Sequence, residues 1–327
     1  MSEAVTFADI QSAARQIAGT AVRTPLLRHD VLDRQVNGRL YIKAEPLQRT
    51  GSFKFRGAYN RISRLDGAQR KAGVVAFSSG NHAQGVAAAA KLVGCPAVIV
   101  MPSDAPGIKI AATRSLGAEV VLFDRYRDNR EAIGAEIAST RGATLVPPYD
   151  DPWIIAGQGT VGLEIAEQMA ELGERIDVVC TCASGGGLTA GVALAMEALA
   201  PSARPYVAEP AGYNDHGLSL AAGERRAHAA DAPTLCDALM APIPGEITFP
   251  INQRLLKGAV AASDTEILDA MLVSFLFLKL VIEPGGAAGL AAALQGRLNL
   301  NGGTGVVVAS GGNVDPAVFR QALDRPL

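Results

Sequence analysis

The chain has 327 residues, 49% of them hydrophobic and 19% charged, which is enough to bury one large core or two moderate ones and excludes a disordered chain. Its 30 basic and 32 acidic residues are mixed along the sequence and leave a formal net charge of −2, so no field exists to steer nucleic acid or a membrane surface, and a small molecule is the expected partner. Cys95, Cys180, Cys182 and Cys236 lack zinc-ligand spacing and a disulfide framework, and no charged-then-apolar leader follows Met1, so the cytoplasm is the expected compartment.

Along the chain, Leu40-Tyr41-Ile42-Lys43 is followed by Gly51-Ser52-Phe53-Lys54-Phe55-Arg56-Gly57-Ala58. A lysine held between an aromatic residue and a glycine loses hydration, so its neutral amine becomes available to condense with a carbonyl as a Schiff base, which points towards pyridoxal phosphate. The alternative is a lysine that snorkels its charge to water. Short β-branched runs then alternate with alanine-rich helical patterns: 73–77, 97–100, 119–122, 177–180, 205–208 and 305–309. Uninterrupted apolar strands separated by helices predict parallel sheets covered on both faces. Pro147-Pro148-Tyr149-Asp150-Asp151-Pro152 marks a lobe boundary, and residues 201–246 show no regular pattern. Ser263-Asp264-Thr265-Glu266 is a helix-opening capping box, and the apolar stretch Met271 to Ile282 is too short to span a bilayer and predicts a buried helix.

Three strand ends carry loops with chemistry. After Cys180 comes Ala183-Ser184-Gly185-Gly186-Gly187-Leu188, whose side-chain-free amides ahead of a helix form a nest for phosphate oxygens. Gly185, Gly187 and Ala190 also satisfy a dinucleotide pattern, with Glu209 placed as a ribose-binding acid, so an NAD-dependent oxidoreductase is the rival reading. The strand at 74–77 ends in Ser78-Ser79-Gly80-Asn81-His82, and the strand at 306–309 in Ser310-Gly311-Gly312-Asn313. Two such loops and a lysine suit a pyridine ring with phosphate, hydroxyl and ring nitrogen better than a dinucleotide. His82 opens a helix after a Gly-Asn turn, so a backbone-bonding role is expected before that of a general base.

Taken in order, the runs 52–58, 78–82, Ile155-Ala156-Gly157-Gln158-Gly159-Thr160, 185–187, Glu283-Pro284 and 310–313 resemble the threonine/serine dehydratase and serine racemase family, from about residue 10 to 318. The resemblance implies an α/β fold of fold type II (tryptophan-synthase β-like), two lobes each with a mainly parallel sheet covered by helices, and pyridoxal phosphate. It assigns residues 1–47 and 148–327 to a large cofactor-binding domain and 48–147 to a small, mobile substrate-binding domain, and implies a homodimer. Lys54 then carries the Schiff base and takes the Cα proton, beside Phe53. Asn81 bonds the ring hydroxyl, Ser184, Gly185, Gly186, Gly187 and Leu188 form the phosphate loop, Glu283 lies at the cofactor, and Ser310 faces the pyridine nitrogen. Ser184 stands where many relatives have a fourth glycine, and its hydroxyl is an added donor for phosphate. A hydroxyl partner keeps the ring nitrogen largely unprotonated, which favours prompt β-elimination.

By the same resemblance, Ser78, Ser79, Gly80, Asn81 and His82 hold the substrate carboxylate at the helix start, and Ser79 is the acid of the racemase branch. Glu209, Asp215 and the Tyr213 carbonyl resemble that branch's divalent-cation site; oxygen ligands suit magnesium or calcium. The expected reaction is dehydration and deamination of a β-hydroxy amino acid such as threonine or serine to a 2-keto acid and ammonia. Pro147-Pro148-Tyr149-Asp150 resembles the threonine dehydratases. Arg130 falls where some racemases and hydroxyaspartate dehydratases pair a second carboxylate, against the plainer reading of an exposed arginine at a helix start. Asp237-Ala238 replaces the family's Asp-Gly, which leaves phenylserine open as well, and the end at Leu327 predicts no isoleucine-sensing regulatory domain.

Overall fold

The computed structural model describes residues 4–326 apart from 79, 106, 125–126 and 229–232. Ten strands appear among these residues: β1 (Leu26–Arg28), β2 (Arg39–Ala44), β3 (Val74–Phe77), β4 (Ala97–Pro102), β5 (Glu119–Phe123), β6 (Thr144–Leu145), β7 (Val178–Cys182), β8 (Arg204–Pro210), β9 (Gly258–Ala262) and β10 (Thr304–Ala309). They form a six-stranded sheet in the order β1-β2-β10-β7-β8-β9 and a four-stranded sheet in the order β5-β4-β3-β6. Only β1, which pairs with β2, runs antiparallel.

All six predicted strands are present, and the reason for their apolar runs is visible in the packing. Leu40, Ile42, Val178, Cys180 and Val307 face one core, while Tyr41, Val179, Val306 and Val308 face another across the same sheet. In the smaller sheet Val74, Ala76 and Ile99 face one core and Val75, Phe77, Val98 and Val100 the opposite one. In β3, β4, β7 and β10, covered on both faces, successive side chains are all buried and the period of two disappears from the sequence, whereas β5 and the start of β8 are only partly covered.

Gly157 and Gly57 explain part of the motif at 155–160. A Cβ on Gly157 would lie 2.5 Å from the Gly57 Cα, so the helix Pro152–Glu171 and the helix Lys54–Ile62 touch backbone to backbone there. The stretch from Met271 to Ile282 departs from the expected single buried helix. The helix Asp264–Val273 gives way to a π turn at Ser274–Leu278, closed by Lys279 with φ 56, after which the chain is extended. Phe275 and Val281 are exposed, so this apolar run is not all core. No helix of the described residues is long and apolar enough to cross a membrane.

Candidate active site

In open parallel sheets the crevice outside the carboxyl ends of the strands receives ligands. Here the loops after β3, β6, β7 and β10 all reach one cavity of about 450 Å³, with walls from both sheets. Lys54, Asn81, the loop 184–188, Glu283 and Ser310 all line it.

The position of Lys54 follows from the backbone around it. Phe53 N–H donates to the Ser310 carbonyl (3.1 Å) and Ser52 bridges Gly311, tying the start of the lysine's helix to the end of β10. Two residues on, Arg56 is fully buried, donating to Glu45 (2.8 Å) and Glu164 (2.6 Å), and Lys43 joins Glu164 at 2.6 Å. Lys54 itself turns the other way. Its Nζ donates to the Pro148 carbonyl (2.6 Å) and lies 5.2 Å from the centre of the Phe53 ring. Burial lowers its pKa from the ordinary value to about 8, so the neutral amine is accessible near physiological pH.

The glycine run at 185–187 leads into a helix start, as its sequence predicts. Gly186, with φ 92, precedes the helix Gly187–Leu199, which has no side-chain cap. The Gly185 carbonyl accepts from Thr248 Oγ1 (2.5 Å) and Gly245 N–H (3.1 Å), so it is held by the protein and the N–H groups of the first helical turn are left for an anion. A side chain at Gly186 would meet Asn252 Nδ2 and His216 Nε2, each 2.6 Å from the Cβ position. Ser184 Oγ accepts from Ala241 N–H (3.1 Å), which fixes the hydroxyl oxygen and leaves its hydrogen to donate. The Tyr149 ring packs over Gly185.

Asn81 opens the helix Asn81–Val93 and its amide is held at both ends, with one N–H and one lone pair left over: Nδ2 donates to Glu283 Oε1 (2.5 Å) and Oδ1 accepts from Asn313 Nδ2 (2.8 Å). Burial, with Asp237 nearby, raises the Glu283 carboxyl to about 7. Cys182, which the sequence did not single out as a site residue, donates its thiol to Ser310 Oγ at 3.1 Å; burial raises that thiol to about 11 and keeps it protonated. His82 Nε2–H donates to the Val146 carbonyl (2.9 Å), and burial together with Lys54 lowers its pKa to about 3. It is a neutral, backbone-bonding histidine. Ser78 Oγ accepts from Gly80 N–H (3.2 Å) beside it. Ser79 lies outside the described residues.

Two cations line the same cavity. Arg130 is the first residue of the helix Arg130–Arg141, capped by Asn129, and its guanidinium lies 5.6 Å from the centre of the Phe77 ring. Lys109, which sequence reasoning missed, pairs with Asp237 at 2.6 Å across 128 residues of chain. No local pattern signals that pairing. Ala238 follows Asp237 on the cavity wall.

Behind the loop 184–188, Glu209 and Asp215 lie together, with His216, which the sequence reading did not include, as a third member. Glu209 is fully buried at the end of β8, where its two oxygens accept from His216 N–H and Gly217 N–H (2.9 Å each), a helix-capping position remote from any ribose role. Burial raises its pKa. His216 Nδ1 stands 3.3 Å from Glu209 and 3.5 Å from Asp215; against the lowering effect of burial, these carboxylates raise it to about 9. Both Asp215 oxygens are buried without a hydrogen-bond partner, so the cluster fits a cation. Tyr213 is buried nearby with its ring 4.1 Å from that of His228.

The arrangement is that of a pyridine-aldehyde site: an amine of lowered pKa, an anion nest, and polar anchors between them. Known proteins agree. The chain is 44% identical over 318 residues to an L-threo-3-hydroxyaspartate ammonia-lyase of Pseudomonas sp, covering 97% of this chain and 98% of that one. It is 40% identical over 323 residues to an L-threonine ammonia-lyase of Thermotoga maritima, covering 99% of this chain and 79% of the relative. The solved structure of maize serine racemase superposes with a TM-score of 0.91 at 39% identity, over 98% of this chain and 97% of that one. The family described as pyridoxal-phosphate dependent enzyme matches residues 17–311, and this chain, a fold type II enzyme with pyridoxal phosphate as its cofactor, belongs to that family.

Proposed function

We propose that the protein catalyses β-elimination of a β-hydroxy amino acid to a 2-keto acid and ammonia, with 3-hydroxyaspartate as the preferred substrate. The observation that carries the substrate choice is the pair of cations, Arg130 and Lys109, in the cavity of Lys54. A monocarboxylic substrate is already served by the helix N-terminus at Asn81, where N–H groups and the dipole favour an anion. A cation in the first turn of a helix opposes that dipole, so helix stability does not explain Arg130. A second carboxylate does. The Pseudomonas relative named for L-threo-3-hydroxyaspartate supports the reading. Threonine or serine is the second reading, favoured because Asp237 already neutralises Lys109.

Bound on Lys54, pyridoxal phosphate supplies the electron sink that makes the Cα proton removable. Lys54 holds the amine that receives this proton. Asn81, held by Glu283 and Asn313, would anchor the ring hydroxyl; Ser310, held by Cys182, would partner the ring nitrogen; and the 184–188 loop would hold the phosphate. Ser79 is the candidate for returning a proton on the opposite face. Residues 48–147, which contain the whole four-stranded sheet, are the lobe that we infer moves to cover the substrate. A divalent cation at Glu209, Asp215 and the Tyr213 carbonyl completes the proposal.

Keto-acid release from L-serine, L-threonine, both 3-hydroxyaspartate diastereomers and phenylserine tests it. Arg130→Ala is expected to lower kcat/KM for hydroxyaspartate by roughly 10–100-fold, the worth of one charged hydrogen bond, and to leave threonine nearly unchanged. Equal effects on both substrates, or none on hydroxyaspartate, would refute the carboxylate assignment. The lysine makes a separate prediction. In cofactor-free protein the rate of pyridoxal phosphate uptake rises about tenfold per pH unit and levels above about pH 8, because only the neutral amine reacts. A rise that continues to the ordinary lysine range would mean that burial does not tune Lys54.

A further inference from the structure

Glu209, Asp215 and His216 are fully buried, and each offers a ligand atom within 4.8 Å of the others. His216 Nδ1 approaches Glu209 Oε1 to 3.3 Å and Asp215 Oδ2 to 3.5 Å, ion-pair distances without hydrogen-bond geometry, and Asp215 Oδ1 is buried with no hydrogen-bond partner among the described residues. Without a cation, a proton on Nδ1 lies between the two carboxylates; a metal ion that displaces it meets the same three donors.

We propose that His216 Nδ1 is a protein ligand of the cation held by Glu209 and Asp215, and that this nitrogen makes the site select zinc-like transition cations over magnesium and calcium. The inference rests on that carboxylate pair being a cation site. It adds to it a ligand that an oxygen-only site lacks.

The distances favour this assignment. Metal bonds of about 2.0–2.1 Å directed to the corners of a tetrahedron place neighbouring donors roughly 3.3–3.4 Å apart. Octahedral magnesium with bonds of about 2.0–2.1 Å needs roughly 2.9–3.0 Å. The 3.3 and 3.5 Å from Nδ1 to the two carboxylates lie nearer the first. The longer bonds of calcium tolerate such spacings, but calcium takes oxygen donors, whereas imidazole suits zinc and its neighbours.

The surroundings supply the outer support that metal ligands need. The Glu209 carboxylate is oriented by the N–H groups of His216 and Gly217, both at 2.9 Å. On the far side of the ring, His216 Nε2 lies 3.3 Å from the Asn252 amide, whose oxygen is buried without a partner. A metal on Nδ1 leaves the proton on Nε2, and the amide, turned end for end, accepts it. Asn252 and His216 both abut Gly186, so the metal ligand backs directly onto the phosphate loop.

Holoenzyme stripped of divalent cations with a chelator is titrated by calorimetry with zinc, magnesium and calcium. Zinc is expected to bind at least about 100-fold more tightly than either, and His216→Gln to weaken zinc by at least about 10-fold while changing magnesium by less than about threefold. Manganese serves as a spectroscopic probe: pulsed electron paramagnetic resonance of the unsubstituted protein is expected to show coupling to an imidazole nitrogen. That measurement needs no variant to fold. Bound manganese without nitrogen coupling, or zinc no tighter than magnesium, overturns the assignment of His216 and leaves the carboxylate site standing. Failure of every cation to bind overturns the carboxylate site itself and, with it, this inference.

Discussion

Lys54→Ala is expected to lower keto-acid formation by at least about 10³-fold while the protein remains folded. The loss is large because the proposed function gives one side chain two tasks, holding the cofactor and receiving the Cα proton, and a positioned general base alone contributes about 10²–10⁴-fold. The fold survives for a separate reason. Among the described residues Lys54 makes one hydrogen bond, to the Pro148 carbonyl, and a contact with the Phe53 ring, and it takes no part in the buried charge network next to it. Removing a desolvated amine relieves a cost that offsets the lost bond, so stability is expected to change by no more than about 1–2 kcal/mol. Keto-acid release and urea denaturation check the two halves. An alanine variant retaining a tenth of the activity would place the proton transfer elsewhere.

Arg56→Ala is expected to give the reverse pattern, with its main effect on stability. Arg56 is fully buried and binds Glu45, also fully buried, through two nitrogens and Glu164 through two more contacts, with Lys43 as the second cation. Removing it leaves two buried or largely buried carboxylates with Lys43 as their remaining cation among the described residues and the Thr24 hydroxyl still donating to Glu45. Breaking a buried pair in this way costs about 3–5 kcal/mol. The network has an acid limb. Burial tends to raise the Glu164 carboxyl, but Arg56 and Lys43 overcome this and hold it below its ordinary 4.5. A group of lowered pKa stabilises the fold above its unfolded value, about 4.5, and the contribution disappears as the pH falls through the folded value. Urea midpoints measured from pH 7 down to pH 3 should therefore converge for wild type and variant. A gap below about 1 kcal/mol at pH 7 would mean that water reaches the network.

Elements and loops whose cause is local were legible in the sequence. The strands at 74–77, 97–100 and 305–309 are apolar throughout because both faces are covered, and the glycine run at 185–187 meets a short-range requirement of the helix start it precedes. Lys54, Asn81 and Ser310 sit at strand or helix ends that the same reasoning locates. What escaped depends on partners far along the chain. Lys109 meets Asp237 across 128 residues, and Cys182 meets Ser310 across a similar span. The edge strand β9, Gly258–Ala262, lacks the β-branched density that marks a strand, since it gains its place by pairing with β8. His216 follows an expected ligand directly, yet the resemblance that identified Glu209 and Asp215 supplied only oxygen donors, and the imidazole became visible only once burial and distance were known. The π turn at Ser274–Leu278 escaped for another reason: its apolar residues continue the helical pattern, and only the left-handed Lys279 marks its end.

Borohydride reduction of the yellow holoenzyme, followed by peptide mass analysis, tests the central claim most directly. The account predicts loss of the visible band and a reduced pyridoxyl group on Lys54, within the peptide that carries Phe53 and Phe55. A label on any other lysine, or a colourless protein that takes up no pyridoxal phosphate, would contradict it.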